Sequence, residues 1–119
     1  MKTWAVVGLG NNPERAAFGV AKLLQDKGHR IVPVYPRAEI VHGEIGYRTL
    51  SEIPFPVDVV DCFVNSTLVG KVVDEAIAIG AKAIWLQLDV IDEEAIVRAQ
   101  SAGLLTVMNR CPAIEYRGR

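Results

Sequence analysis

The sequence predicts an α/β domain with an open, doubly wound parallel sheet of about five main strands. Five short apolar runs rich in valine and isoleucine alternate with segments of helical periodicity. The runs stay apolar instead of alternating with polar residues, as strands buried on both faces do. Gly28, Gly80 and Gly103 each stand where a helical segment stops and the next run begins. Right-handed crossovers between parallel strands then put helices on both faces.

TWAVVGL (3–9) reads as the first strand. In the segment that follows, Asn12 is the expected helix cap, and Pro13 suits a first turn because its missing N–H costs nothing there. Phe18, Val20, Ala21, Leu23 and Leu24 form its apolar stripe, with Lys22, Gln25, Asp26 and Lys27 opposite. HRIVPVYP (29–36) is the second strand. From Arg37 to Pro56 the pattern weakens, with a short strand expected around Ile45–Tyr47 and a brief helix near Leu50–Ile53. VDVVDCFV (57–64), AKAIWLQL (81–88) and LLTVMNR (104–110) complete the strands. Between them, 66–80 and 93–103 read as helices, the second capped by Asp92.

At 119 residues the chain is expected to be one domain, 1–119. Its formal net charge is -1, with 13 basic and 14 acidic residues and no Lys/Arg run. Neither nucleic acid nor a membrane surface is therefore an expected partner, and anion recognition has to be local. Cys62 and Cys111 form no CxxC, which suits a reducing cytoplasm. MKTWAVVGL enters a strand pattern at once, so no signal peptide is expected. The apolar runs are also too short to span a bilayer.

In such a sheet, ligands bind beyond the carboxyl ends of the strands where the strand order reverses. Gly8-Leu9-Gly10-Asn11-Asn12 lies at that end. Its glycines allow close backbone approach, and a following helix favours an anion. A dinucleotide fingerprint needs a third glycine at 13, where proline stands, and an acidic end to strand two, where Val34-Tyr35-Pro36-Arg37 stands. Both features of an NAD site are absent. Arg37 suits the 2'-phosphate of NADP and the 3'-phosphoadenosine of coenzyme A equally well. Arg15, placed in the first helical turn, is offset by a bound phosphate. No Walker A sequence occurs.

VGLGNNPER, RIVPVYP, VDVVDCFV, EAIAIGAKAIWLQLDVIDEEA and AGLLTVMNRCPAIEY, in that order, resemble the small bacterial and archaeal CoA-binding proteins. These are single-domain relatives of the CoA-binding domain in the succinyl-CoA synthetase alpha subunit. The resemblance covers essentially the whole chain. It implies a Rossmann-like domain that holds CoA or an acyl-CoA by its nucleotide end across strands one to three. Gly8, Leu9, Gly10, Asn11 and Asn12 then correspond to the loop around the phosphates, and Arg15 to its basic residue. Pro36 and Arg37 fall beside the adenosine, and Phe63 and Val64 border the nucleotide at the end of strand three. Relatives often have Pro-Ser where this chain has Ala16-Ala17, a basic pair at Val64-Asn65, glycine at Asp89 and aspartate at Asn109. Each lost charged hydrogen bond is worth roughly 1.5–3 kcal/mol.

The residues favour binding over catalysis. The phosphorelay histidine of the synthetases lies in a part that has no counterpart here. His29 reads as a surface turn residue, and His42 is a candidate to approach the ligand. Cys62 reads as a small buried hydrophobe, whereas Cys111, beside Arg110, is a candidate redox thiol. Asp58 and Asp61 point to opposite faces of a strand and form no acid/base pair. Asp89 is expected near the cleft, and Trp4 and Trp85 in the packing. Two alternatives stand beside CoA binding: an NADP-linked oxidoreductase or nucleotide sensor, and an interaction module whose nucleotide site has decayed. Open sheet edges make a homodimer, or another protein partner, plausible.

Overall fold

The structure, a computed structural model, describes residues 2–110. Five strands, β1 (Thr3–Val7), β2 (Arg30–Val34), β3 (Val59–Cys62), β4 (Ala83–Leu86) and β5 (Leu105–Val107), form one sheet. All pairings are parallel and the order is β2-β1-β3-β4-β5. The chain leaves β1 to one side and later returns to its other side, so the order reverses between β1 and β3. Helix α1 (Ala16–Asp26) covers one face, while α2 (Ser66–Ala78) and α3 (Glu93–Ser101) pack on the other. This is the Rossmann-like, doubly wound architecture that the apolar runs predict.

Strand residues divide by the pleat. Trp4, Val6, Ile31 and Val59 meet Val20, Ala21 and Leu24 of α1. Ala5, Val7, Val60 and Cys62 meet Val69, Val73 and Ala76 of α2. Pro33 is accommodated because β2 is an edge strand. Its carbonyl accepts the Tyr47 N–H (2.9 Å) on the open side, so its missing N–H interrupts no ladder bond.

Two local expectations are corrected. Helix α1 starts at Ala16, and Asn12 does not cap it. The Asn12 side chain instead accepts the Glu14 N–H (3.0 Å), while its carbonyl accepts the Arg15 N–H (3.1 Å). Asn-Pro at the first two positions of a β-turn competes with the helix start and wins. Arg15 is thus the residue before the helix, with extended backbone and no side-chain capping bond. The second correction is the strand at Ile45–Tyr47, which is only a single bridge between Tyr47 and Val34. The brief helix appears as one 3₁₀ turn, Leu50–Glu52, closed by a capping box with Thr49. Asp92 caps α3 as expected, through the Ala95 N–H (3.0 Å).

Candidate functional site

The carboxyl ends of β1, β2 and β3 converge where the strand order reverses. Gly8 follows β1 with φ +97°, its N–H bonded to the Val34 carbonyl of β2 (2.8 Å). Its α-carbon faces β3 so closely that a Cβ there would lie 2.6 Å from the Phe63 carbonyl oxygen. Gly8 therefore joins all three strand ends, and the chain turns from it into the loop 9–15.

Two hollows open from this junction. The first, about 240 Å³, has Gly8, Gly10, Asn11, Asn12 and Arg15 on one side. Tyr35, Arg37 and Glu39 of the segment after β2 close the other side. The second, about 420 Å³, lies over the switch point. Its apolar walls include Val34, Pro36, Phe63, Val64 and Leu68, and its rim carries Arg48, Lys71 and Glu75. Gly8, Arg15 and Tyr35 border both hollows, so the two adjoin as neighbouring lobes of the groove at this junction.

The predicted residues divide between the lobes. Gly8, Gly10, Asn11, Asn12, Arg15 and Arg37 gather in the first; Pro36, Phe63 and Val64 gather in the second. Leu9 is the exception. It is fully buried in the α1 core cluster and anchors the loop from beneath. Pro36 and Arg37, adjacent in sequence, thus face different lobes. Tyr35, Glu39, Arg48 and Lys71 are additional wall residues to which the sequence gives no independent pointer.

Glu39 changes the electrostatics of the first lobe. Its Oε1 accepts the Asn11 backbone N–H (2.9 Å), so a carboxylate occupies one loop donor. A left-handed Ala38 (φ +50°) redirects the chain after β2 toward the loop. Gly46 allows the close approach, because a Cβ there would collide with the Glu39 carbonyl oxygen. Arg15, Arg37 and Lys71 have no carboxylate partner among the described residues.

Other candidates are accounted for locally. Asn65, where relatives often have a basic residue, caps α2 by accepting the Thr67 N–H (2.9 Å). His42 does not enter the groove: its Nε2 lies 2.8 Å from the Phe18 carbonyl oxygen, and its ring packs on Phe18. Asp89 lines neither lobe. Its φ of +67° explains why glycine suits that position, and its N–H is held by Asn109 Oδ1 (2.7 Å). Asp58 lies at the amino end of β3, bound to the Thr3 N–H and near Lys82. The Thr3 bond first, then Lys82, hold its pKa below the usual value. Cys62 is buried, which pushes its thiol pKa well up, with Asp61 adding to the effect. Cys111 lies outside the described residues. Trp4 and Trp85 pack with ring centroids 5.8 Å apart, and Trp85 Nε1 donates to the Arg110 carbonyl (2.7 Å). Among the described residues no helix is long and apolar enough to cross a membrane.

The glycine junction and its two lobes lie at the switch point, where open α/β sheets bind ligands, and comparison with known proteins places the chain in a family. The CoA binding domain family model matches residues 2–117. This chain belongs to that family. The CoA-binding domain is 34% identical over 115 residues to the uncharacterized protein YneT of Bacillus subtilis, covering 97% of this chain and 85% of YneT. It superposes on a hypothetical protein from Pyrococcus horikoshii OT3 with a TM-score of 0.94 at 39% identity, covering 98% of this chain and 82% of that one. It is also 32% identical over 81 residues to the alpha subunit of an ADP-forming acetate–CoA ligase II from Pyrococcus furiosus, covering 67% of this chain but 18% of that subunit.

Proposed function

We propose that this protein binds the nucleotide end of coenzyme A or an acyl-CoA, as a carrier or sensor and not as a catalyst. The observation that carries the reading is the pair of adjoining lobes at the switch point. The smaller lobe, with Arg15 and Arg37 beside the glycine loop, suits a diphosphate. The wider lobe between Pro36 and Phe63–Val64 suits a purine base and its ribose. Family membership supports CoA over other adenine nucleotides. The two carboxylates that line the groove are engaged in structural bonds. Glu39 holds Asn11, and Glu75 accepts the Leu50 N–H and the Ser51 hydroxyl. That commitment supports binding over acid/base chemistry.

Isothermal titration with CoA, NADP, NAD and ATP tests the reading. CoA is expected to bind with a Kd on the order of micromolar, and Arg15→Ala to weaken it about tenfold, the equivalent of one charged hydrogen bond. Binding of NADP alone would move the protein to the oxidoreductase class. Silence from all four, with the protein folded and free of copurified ligand, would leave an interaction module.

Glu39 makes a second prediction in the same assay. A diphosphate entering the first lobe has to displace or tolerate its carboxylate, and like charges at close range oppose binding. Glu39→Gln keeps an amide oxygen to accept the Asn11 N–H but removes the charge. CoA affinity should rise about three- to tenfold, equivalent to roughly 1 kcal/mol. An unchanged Kd would show that Glu39 swings clear of the ligand.

A further inference from the structure

We infer that Arg48 and Lys71 form a second anion site, which takes the phosphomonoester on the adenosine ribose and so sets the preference for CoA over its dephosphorylated form. The inference rests on the CoA reading. It assigns the ring phosphate to a pair of residues remote in sequence from Arg37. Arg37 faces the lobe of the glycine loop, whereas Arg48 and Lys71 stand on the rim of the lobe that also contains Pro36 and Val64. A base and ribose held in that second lobe carry their ring phosphate toward its rim.

The local hydrogen bonding ties the neighbouring carboxylates to the 3₁₀ turn. Glu75, four residues beyond Lys71 on α2, is its natural helical partner. Both Glu75 oxygens are already used, Oε1 by the Leu50 N–H (3.0 Å) and Oε2 by the Ser51 hydroxyl (2.8 Å). No ion pair to Lys71 forms among the described residues. Glu52 is occupied in the same way: its Oε1 accepts the Arg48 and Thr49 N–H groups in the capping box. The Arg48 guanidinium reaches Glu52 Oε2 only at 3.9 Å, on an exposed surface where such a pair contributes little. Both carboxylates keep their charge but are tied to the 3₁₀ turn by these bonds, and the two cations stand beside them on the rim of the lobe. These cations also stand in for the basic pair that the sequence lacks at Val64-Asn65. Asn65 has become the cap of the helix that carries Lys71.

The test compares CoA with 3'-dephospho-CoA by titration in the wild type, the Arg48→Ala/Lys71→Ala double variant, Arg37→Ala and Lys71→Arg. The wild type should prefer CoA by about tenfold, a charge-assisted contact converted at 1.4 kcal/mol per decade. In the double variant that ratio should collapse toward one, while Arg37→Ala and Lys71→Arg should retain it. Thermal melts confirm that each variant is folded. A ratio preserved in the double variant, or lost in Arg37→Ala alone, overturns the inference and leaves the CoA reading standing. A wild type that binds both nucleotides equally overturns it too. A wild type that binds neither removes the CoA reading, and the inference falls with it.

Discussion

Gly8→Ala is expected to lower the melting temperature by about 10–20 °C and to abolish ligand binding, the effect of roughly 3–5 kcal/mol lost in a domain of this size. Two costs add. The backbone at φ +97° lies where an L-residue is strained. The new methyl would also lie 2.6 Å from the Phe63 carbonyl oxygen, which is backbone and cannot rotate aside. Relief would require β1 and β3 to separate at the switch point. The Val34 carbonyl resists this from the other side, since it holds the Gly8 N–H at 2.8 Å. Any residual fold would carry a groove with its junction prised open.

Gly19→Ala is the matched control. Gly19 lies in α1, and a Cβ there meets nothing within 4 Å. Removing a flexible residue from a helix interior should stabilise the protein by about 0.5–1 kcal/mol. Thermal melts of both variants, followed by CoA titration at a temperature where each is folded, separate the two positions. Equal, small effects from both would mean that the junction tolerates a methyl group, and the account of Gly8 would be wrong.

The sheet and its helices were legible because their signals are local. Continuous apolar runs mark strands buried on both sides, and Gly28, Gly80 and Gly103 all adopt the positive φ that ends a helix. The strand limits were less so: Leu9 and Val64 continue the apolar pattern past the last ladder bond because burial outlasts strand pairing there, whereas Leu88 continues it while exposed. Asn12-Pro13 satisfies the sequence rules for a helix start and for a β-turn alike, and only the path of the loop decides between them. The glycine loop and the Pro36 wall were visible as motifs. Glu39, Arg48 and Lys71 were not, since their approach depends on the Ala38 turn, the Gly46 crossing and the packing of the 3₁₀ turn on α2. None of those is a periodic feature. Asn65 shows the reverse error, a position read for the charge it lacks when its work is to cap α2.

Asp61→Asn is expected to make the protein more stable at pH 8 and to leave its stability near pH 4 almost unchanged. Asp61 is fully buried in β3, in register with Val6 on one side and Trp85 on the other. Gln87 Nε2 donates to its Oδ1 (2.7 Å), while its buried Oδ2 has no partner. Burial raises its pKa to about 7, and the Gln87 bond only partly opposes that rise. In the unfolded chain the same group titrates near its ordinary value, 3.8. Between those values the folded state holds a proton that the unfolded state has lost, so raising the pH favours unfolding. The stabilisation is complete below about pH 4, where both states are protonated, and is lost as pH rises toward 7. Over that window the loss reaches at most roughly 4 kcal/mol, at 1.36 kcal/mol per pKa unit. Asparagine cannot ionise and keeps an oxygen for Gln87. Its buried N–H group replaces the equally unpartnered O–H of the protonated acid, so the low-pH stabilities should nearly coincide. Urea unfolding of both proteins from pH 4.5 to 8 measures the difference, which should widen with pH to about 2–4 kcal/mol. A difference that stays flat across this range would mean that Asp61 is ionised in the folded protein. The carboxylate would then need a donor at Oδ2, and the pairing of β3 with β4 beside the groove would depend on that charge.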